Sequence, residues 1–175
     1  MGLRKSAFQR WTLVLLAALC LSQIYPTPVL AEDVAVVVNP RVPVADLSFS
    51  ELRRILLGDR QYWSSGLRVT LLIPPISTLI ESQLVRASVA PEREVILRTV
   101  YKMSEAQFRK YWIAKVFRAE ATAGPQIVYS NEMATDLVIA IPGSVSFVSA
   151  MKVPSGVKVL TINGHLPGET DYPLR

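Results

Sequence analysis

Few side chains in this sequence could carry out catalysis or hold a metal ion. The one histidine, His165, follows Gly164 in a turn, and the one cysteine, Cys20, lies in an apolar N-terminal run. The sequence has no G-x-S-x-G, H-E-x-x-H or P-loop pattern, and no pair of His, Asp or Glu recurs at metal-ligand spacing outside ordinary helix surfaces. A histidine beside a turn glycine is typical of a solvated loop. We therefore predict a protein that is not an enzyme and has no catalytic residue, metal or other cofactor; a hydrolase using His165 is the alternative.

The segment with chemical potential joins a strand to a helix and has the sequence LIPPIST over residues 72–78. The amino end of a helix presents free amides and the positive end of the helix dipole, which bind anions. The hydroxyls of Ser77 and Thr78 can add donors, so these two residues are our candidate ligand-binding residues. Pro74 and Pro75 supply no N–H, and the segment lacks glycine. The alternative interpretation is that Ser77 only caps the helix.

The elements that must position this segment begin with VAVVV at Val34–Val38, a run typical of a strand that is covered on both faces. Ser48 and Glu51 fit a capping box, so a helix should begin at Phe49 and close at Gly58 in the left-handed conformation. Glu51 and Asp46, the acidic residues near this helix, are explained as a cap and a turn residue.

The rest of the chain continues the alternation of strands and helices. Further strands are predicted at 68–73, 126–129, 144–149 and 157–162, and further helices at 76–87, 91–103, after Ser104, and from Ser130 to about 140. In the helix after Ser104, an apolar stripe of Phe108, Tyr111, Trp112 and Val116 is expected to pack in the core. The turn-rich tail 165–175 is expected on the surface.

The N-terminal residues 1–31 have the features of an export signal. Three basic residues precede an apolar run from Trp11 to Leu21, and Val29 to Ala31 fits a signal peptidase site. We predict cleavage after Ala31 and a periplasmic or secreted protein. The alternative is a membrane anchor, but the apolar run is well short of the roughly 20 residues that a spanning helix needs. Leu19 before Cys20 argues against a lipoprotein.

Residues 32–175 are enough for one compact α/β domain, which we predict. Without the signal, 16 basic and 14 acidic residues remain, a net charge of +2, so the high pI gives little support for nucleic-acid binding. This domain would contain no cysteine, which fits a fold that holds without disulfides in an oxidising compartment.

Four segments in order resemble the periplasmic phosphate-binding proteins of ABC transporters: VAVVVNP, LSFSELRRILLGDRQYW, RVTLLIP and IAIPGSVSFVSA. In that family a hydrophobic strand with an Asn precedes a helix similar to L-x-x-I-F-x-G with a following Trp, then a strand and a P-G-x-I-G-Y-V segment. The match runs from about Val34 to Val159. It implies a type II periplasmic-binding-protein-like α/β fold, as a single lobe with a mixed, mostly parallel sheet flanked by helices.

The sequence departs from the family where the family binds its ligand. The family's loop after the second strand is similar to R-S-D-G-S-G-T, whereas Pro74, Pro75, Ile76, Ser77 and Thr78 stand here, and only the two hydroxyls correspond. Ser146 and Phe147 replace the usual glycine and tyrosine of the later segment.

The resemblance implies a phosphate- or oxyanion-binding component that works with an ABC permease. The alternative is a protein-interaction or sensory module of the cell envelope that kept the lobe and lost the ligand. Because binding proteins of this family close two lobes over the anion, a single lobe exposes the face that normally meets the other. We therefore also predict pairing with itself or with another envelope protein.

Overall fold

The computed structural model of the chain describes residues 33–75 and 90–175. The strands in these ranges are β1 (Val34–Val38), β2 (Asp46–Leu47), β3 (Thr70–Ile73), β4 (Gln126–Ile127), β5 (Ser144–Ser149), β6 (Lys158–Val159) and β7 (Thr161–Ile162). The helices are α1 (Phe49–Leu56), α2 (Pro91–Ile96), α3 (Glu105–Phe117) and α4 (Asn131–Ala140), with a π-helical segment at Leu97–Tyr101 and a 3₁₀ turn at Ala150–Lys152. The predicted signal, residues 1–31, and the predicted helix 76–87 lie outside the described ranges.

A five-stranded sheet in the order β4-β3-β5-β1-β6 forms the centre of the fold, and β2 and β7 form a separate two-stranded sheet. Strand β3 is parallel to β4 and to β5, and β2 is parallel to β7. Strand β1 runs antiparallel to β5 and β6. Counted over both sheets, three of the five pairings are parallel, two of them in the five-stranded sheet, and the predicted mixed, mostly parallel arrangement is confirmed.

All five residues of β1 are buried, as the run of β-branched residues predicts. Because successive side chains of a strand point to opposite faces, Val34, Val36 and Val38 enter one hydrophobic cluster, while Ala35 and Val37 enter the other. The larger cluster receives the apolar faces of α1, α2 and α3. The smaller one is covered by α4. The sheet is therefore covered by helices on both faces.

The predicted capping box at the start of α1 is present. The hydroxyl of Ser48 accepts a hydrogen bond from the Glu51 amide at 3.2 Å, and the Glu51 carboxylate accepts one from the Ser48 amide at 3.0 Å. Gly58 follows the helix with a φ of 70°. Trp63 then anchors the loop, since its indole nitrogen donates to the Gly143 carbonyl at 2.8 Å.

The predicted helix 91–103 changes form halfway. It is α-helical to Ile96 and widens into the π-helical segment, which ends at Lys102 with a φ of 54°. The wider turn brings both Val100 and Tyr101 into the core, where the Tyr101 hydroxyl donates to the Leu56 carbonyl at 2.6 Å.

The stripe on α3 is only partly in the core. Phe108 and Trp112 are buried, and Tyr111 is half-buried. The Tyr111 hydroxyl donates to the Leu57 carbonyl at 2.7 Å. Val116 is exposed, so the expectation for that residue was wrong. The preceding residue, Lys115, is buried instead.

The prediction of one strand at 157–162 was also wrong. The segment divides at Leu160 into β6, which joins the main sheet, and β7, which pairs with β2. The buried Leu160 donates its amide to the Val36 carbonyl at 2.9 Å. One short run of apolar residues therefore serves two sheets.

The expectation of a surface tail is wrong for two residues. Tyr172 and Leu174 are buried, and both form a hydrogen bond with the backbone of Val34. The Tyr172 hydroxyl donates to the Val34 carbonyl at 2.7 Å, and the Val34 amide donates to the Leu174 carbonyl at 2.9 Å. The tail thus covers the start of β1.

No helix within the described ranges is long and apolar enough to cross a membrane.

Candidate functional site

The candidate residues Ser77 and Thr78 lie outside the described residues, so their role as ligand donors stays a prediction. The structure does describe both sides of this segment. Pro74 and Pro75 follow β3, and Ala90 precedes α2. The geometry of the predicted site can be built from these flanks and from the neighbouring strand β4.

The carboxyl ends of β3 and β4 lie side by side because the two strands are parallel. The amide of Val128, just after β4, donates to the carbonyl of Ile73 at 3.0 Å. The chain then enters α4, where the hydroxyl of Ser130 accepts from the Met133 amide at 3.0 Å. The amino end of α4 therefore begins at the carboxyl edge of the sheet, where open α/β sheets place their ligands.

A cavity of about 180 Å³ lies at this edge, and we call it the carboxyl-end cavity. Its lining includes Pro74, Pro75, Glu92, Ser130, Asn131 and Phe147. The first amides of α4 bring the positive end of a helix dipole to the cavity. The two prolines bring no N–H, and Glu92, which is 8% exposed, brings a carboxylate to the neighbourhood. The described part of the cavity thus offers few donors to an anion.

A buried arginine beside the cavity already has structural partners. Arg93 is 1% exposed, and its Nη1 donates to the Pro74 carbonyl at 2.7 Å. Its Nε and Nη2 donate to the two carboxylate oxygens of Glu105, each at 2.9 Å. The guanidinium also lies 5.1 Å from the centre of the Phe108 ring. This arginine fixes the end of β3 instead of presenting its charge to a ligand.

Sequence reasoning missed Arg93, although a signal was present. Arg93 lies at helical spacing from Ile96, Leu97 and Val100, which are all buried. A charged residue on an apolar helix face must be paired, since an isolated buried charge is very costly. The partner, Glu105, belongs to the next helix and could not be identified from the spacing.

The two residues that replace family positions in β5 have separate tasks. The Ser146 hydroxyl is buried and donates to the Leu72 carbonyl at 3.1 Å, which ties β5 to β3. Phe147 points to the opposite face and lines the carboxyl-end cavity. Neither residue adds a charged group to the cavity.

The acidic residues near α1 have structural tasks, as the sequence predicts. Asp46 accepts from the Thr161 hydroxyl at 2.6 Å and from the Gly164 amide at 2.8 Å, and these hydrogen bonds hold the pKa of its carboxyl below the usual range. His165 lies in the same turn, with Nδ1 3.4 Å from a carboxylate oxygen of Glu169. Within the described ranges, no group of three His, Cys, Asp or Glu side chains is placed to hold a metal ion.

The fold places the chain in a structural class, the periplasmic-binding-protein-like α/β lobes, as predicted. The solved structures that match include proteins named for phosphate transport. An ABC-type phosphate transport receptor from Vibrio cholerae matches with a TM-score of 0.56 and 19% identity, over 78% of this chain and 48% of that one. A putative phosphate ABC transporter substrate-binding protein from Clostridium perfringens, with bound phosphate, matches at 0.56 and 15%, over 78% and 47%.

A third match, PstS from Borrelia burgdorferi, has a TM-score of 0.56 and 14% identity, over 82% of this chain and 54% of that one. This chain therefore spans about half the length of the solved structures it matches. No family model and no curated protein matches the sequence. At these identities the likeness establishes the fold, and the ligand has to be argued from the site.

Proposed function

We propose that this chain is an exported solute-binding protein that takes phosphate or another small oxyanion at the carboxyl-end cavity. The observation that supports this most is the position of the cavity. It lies at the carboxyl ends of two parallel strands and at the amino end of α4. The matching structures are named for phosphate transport or phosphate binding, and one of them holds phosphate.

In this proposal Ser77 and Thr78 supply the hydroxyl donors. The backbone amides at the start of α4 supply a second set, which is pre-organised by the Ser130 cap. Glu92 sets a limit, because a nearby carboxylate disfavours an anion that carries full negative charge. We therefore expect modest affinity for phosphate, in the range of micromolar to millimolar Kd.

Calorimetric titration of the purified protein with phosphate tests the proposal. We expect saturable heat that is lost in the double variant Ser77→Ala/Thr78→Ala. The double variant Ser64→Ala/Ser65→Ala is the matched control, since both serines are exposed in the loop before β3. Unchanged heat in the Ser77/Thr78 variant would show that phosphate binds at a different site. No heat up to millimolar phosphate would contradict oxyanion binding.

The proposal includes export to the periplasm or the medium, with cleavage after Ala31, and delivery of the anion to an ABC permease. Mass spectrometry of the protein recovered from the periplasm should give a chain that starts at Glu32. An intact N-terminus at Met1 would contradict cleavage and favour the alternative of a membrane anchor.

A second function, a ligand-free interaction or sensory module of the cell envelope, is favoured by a specific observation. Pro74 and Pro75 have no N–H to donate into the cavity. The buried guanidinium beside it, that of Arg93, donates hydrogen bonds to Pro74 and Glu105. Such a module should show no shift in melting temperature with phosphate, sulfate or arsenate. It should also retain an envelope partner in a pull-down.

Self-association belongs to the proposal as well. Ile113 and Phe117, on the outward side of α3, are exposed large apolar residues, and Phe117 is 89% exposed. Covering such residues by another chain is favourable in water. Light scattering should therefore show a mass above that of the monomer as concentration rises, and a strict monomer at high concentration would contradict pairing with itself.

A further inference from the structure

A second cavity lies at the opposite ends of β3 and β4. It has a volume of about 220 Å³, and we call it the amino-end groove. Its lining includes Gly58, Arg60, Arg68, Thr70, Trp112 and Gln126. Arg68 and Thr70 stand at the start of β3, and Gln126 at the start of β4. The groove is therefore separated from the carboxyl-end cavity by the length of the strands.

One wall of the groove is apolar and rigid. Trp112 is 6% exposed and lies so close to Gly58 that a Cβ built there would be 2.8 Å from its Cη2 atom. Tyr111 supports the indole with an edge-on contact, with 5.7 Å between ring centres. The buried side chains of Ile55 and Leu71 complete the apolar lining. A small apolar group in the groove would therefore pack against this wall.

The rim of the groove carries two guanidinium groups that are weakly held. Arg68 is exposed, and its side chain has no hydrogen-bond or ion-pair partner among the residues that the structure describes. Arg60 donates from Nε to the Tyr62 carbonyl at 3.3 Å, and its Nη1 lies 3.6 Å from a carboxylate oxygen of Glu51. Most of the donors of both groups are left to solvent.

The carboxylates near the groove are already paired with other cations. Asp59 binds the ammonium group of Lys115. Glu120 pairs with Arg118 at 2.5 Å, while its backbone carbonyl accepts from the Gln61 side chain at 2.7 Å. The positive charge of Arg68 is thus left without compensation beside an apolar wall.

We propose that the amino-end groove binds a small organic acid, with its carboxylate at Arg68 and Arg60 and its apolar body against Trp112. A planar guanidinium matches the two oxygens of a carboxylate, and Gln126 and Thr70 add neutral polar groups at the same rim. The volume is below the roughly 300–1,000 Å³ of pockets for drug-sized ligands, so the acid is a small one. The site goes beyond the proposed oxyanion site and does not depend on it.

Titration of the purified protein with benzoate, followed by calorimetry, tests this site. Benzamide has nearly the same shape without the charge and is the matched probe. We expect saturable benzoate binding with a Kd of about a millimolar or below, and at least about tenfold weaker binding of benzamide. Equal binding of the two probes, or no benzoate binding at tens of millimolar, would overturn the proposal.

Two variants locate the binding. Arg68→Gln should weaken benzoate about tenfold and leave the melting temperature unchanged, since Arg68 makes no side-chain contact that folding requires. Arg109→Gln is the control, because Arg109 is an exposed arginine of α3 outside the groove, and it should bind benzoate as the wild type does.

Ala123→Leu fills the groove from its exposed side and should abolish benzoate binding whatever Arg68→Gln does to the fold. Wild-type affinity in both Arg68→Gln and Ala123→Leu would place benzoate elsewhere and overturn the proposal. Neither variant changes the identity of Ser77 or Thr78. Phosphate heat that is retained in Arg68→Gln therefore separates the failure of this site from the failure of the proposed oxyanion site.

Discussion

The two ends of the β3 and β4 pair use positive charge in opposite ways. At the carboxyl ends, Arg93 is buried and donates hydrogen bonds to Pro74 and Glu105. At the amino ends, Arg68 is exposed and has no side-chain partner among the described residues, beside a groove walled by Trp112. One arginine holds the scaffold together, and the other is available to a ligand.

This difference shows why a binding fold does not by itself identify a binding site. Topology directs ligands to the carboxyl edge of an open α/β sheet, because loops and helix amino ends meet there. In the described part of this chain, the cation at that edge is engaged in structure. We therefore propose that oxyanion binding at the carboxyl-end cavity relies on Ser77, Thr78 and the amides of α4.

The largest effect is expected from Arg93→Ala. The change leaves the Glu105 carboxylate and the Pro74 carbonyl without their donor, and breaking a buried pair costs about 3–5 kcal/mol. Because Glu105 is partly exposed, we expect the lower end, about 3 kcal/mol, in the free energy of unfolding measured by urea denaturation. Arg109→Ala, on the solvent side of α3, should change it by less than about 0.5 kcal/mol. A loss below about 1 kcal/mol for Arg93→Ala would mean that the carboxyl end does not rely on this arginine.

The next largest effect is expected at Gly143, which lies against the backbone just before β3. A Cβ at Gly143, whose φ is 82°, would lie 2.2 Å from the backbone carbonyl oxygen of Arg68. Gly143→Ala should therefore cost more than about 2 kcal/mol, from backbone strain plus a clash that no side-chain movement relieves. Gly66→Ala is the control, because Gly66 has a similar φ of 79° and open space around it, and it should cost about 1 kcal/mol. Equal costs in thermal unfolding would show that the start of β3 can shift.

A smaller effect is expected at Asn39, the asparagine of the family-like VAVVVNP segment. Its side-chain nitrogen donates to the carbonyls of Val138 and Ile139 at 2.8 and 2.9 Å, and its oxygen accepts from the Arg41 amide. Asn39→Ala leaves buried groups unpaired and should cost about 2 kcal/mol in urea denaturation. No change in stability would indicate that this asparagine serves a ligand or a partner instead of the end of α4.

The smallest effect is a pH dependence far from both ends. Hydrogen bonds from the Thr161 hydroxyl and the Gly164 amide lower the pKa of Asp46 in the folded state. The Asp46 carboxylate therefore stabilises the fold above its unfolded pKa of 3.8, and this stabilisation is lost as the pH falls through the folded pKa. Asp46→Asn should lower stability at pH 7 by well under 1 kcal/mol, because the carboxylate is exposed. The difference from the wild type should shrink as the pH falls through the lowered pKa of Asp46. A difference that is constant from pH 7 to pH 2 would contradict a role for the charge.

The sequence predicts well the features that depend on neighbouring residues. The capping box at Ser48, the strand Val34–Val38 and the left-handed Gly58 are all confirmed, since each depends on residues within one or two turns. The class of fold is also confirmed, because the order of strands and helices limits the topologies that a chain can adopt.

The features that the sequence did not predict depend on distant partners. The burial of Leu174 is determined by contact with Val34, and the partner of Arg93 lies on another helix. The amino-end groove joins residues from four separate segments, 55–61, 68–71, 112 and 121–126, so no local pattern marks it. Spacing along the chain identifies a face or a cap, and it does not identify which surfaces meet.

An NMR titration of the ¹⁵N-labelled protein with phosphate tests the proposed oxyanion site residue by residue. We expect saturable amide shifts at Ser77, Thr78 and Asn131, while the amides of Arg68 and Thr70 stay unchanged. Shifts confined to Arg68 and Thr70, or none at Ser77, Thr78 and Asn131 up to millimolar phosphate, would contradict an oxyanion site at the carboxyl ends of β3 and β4.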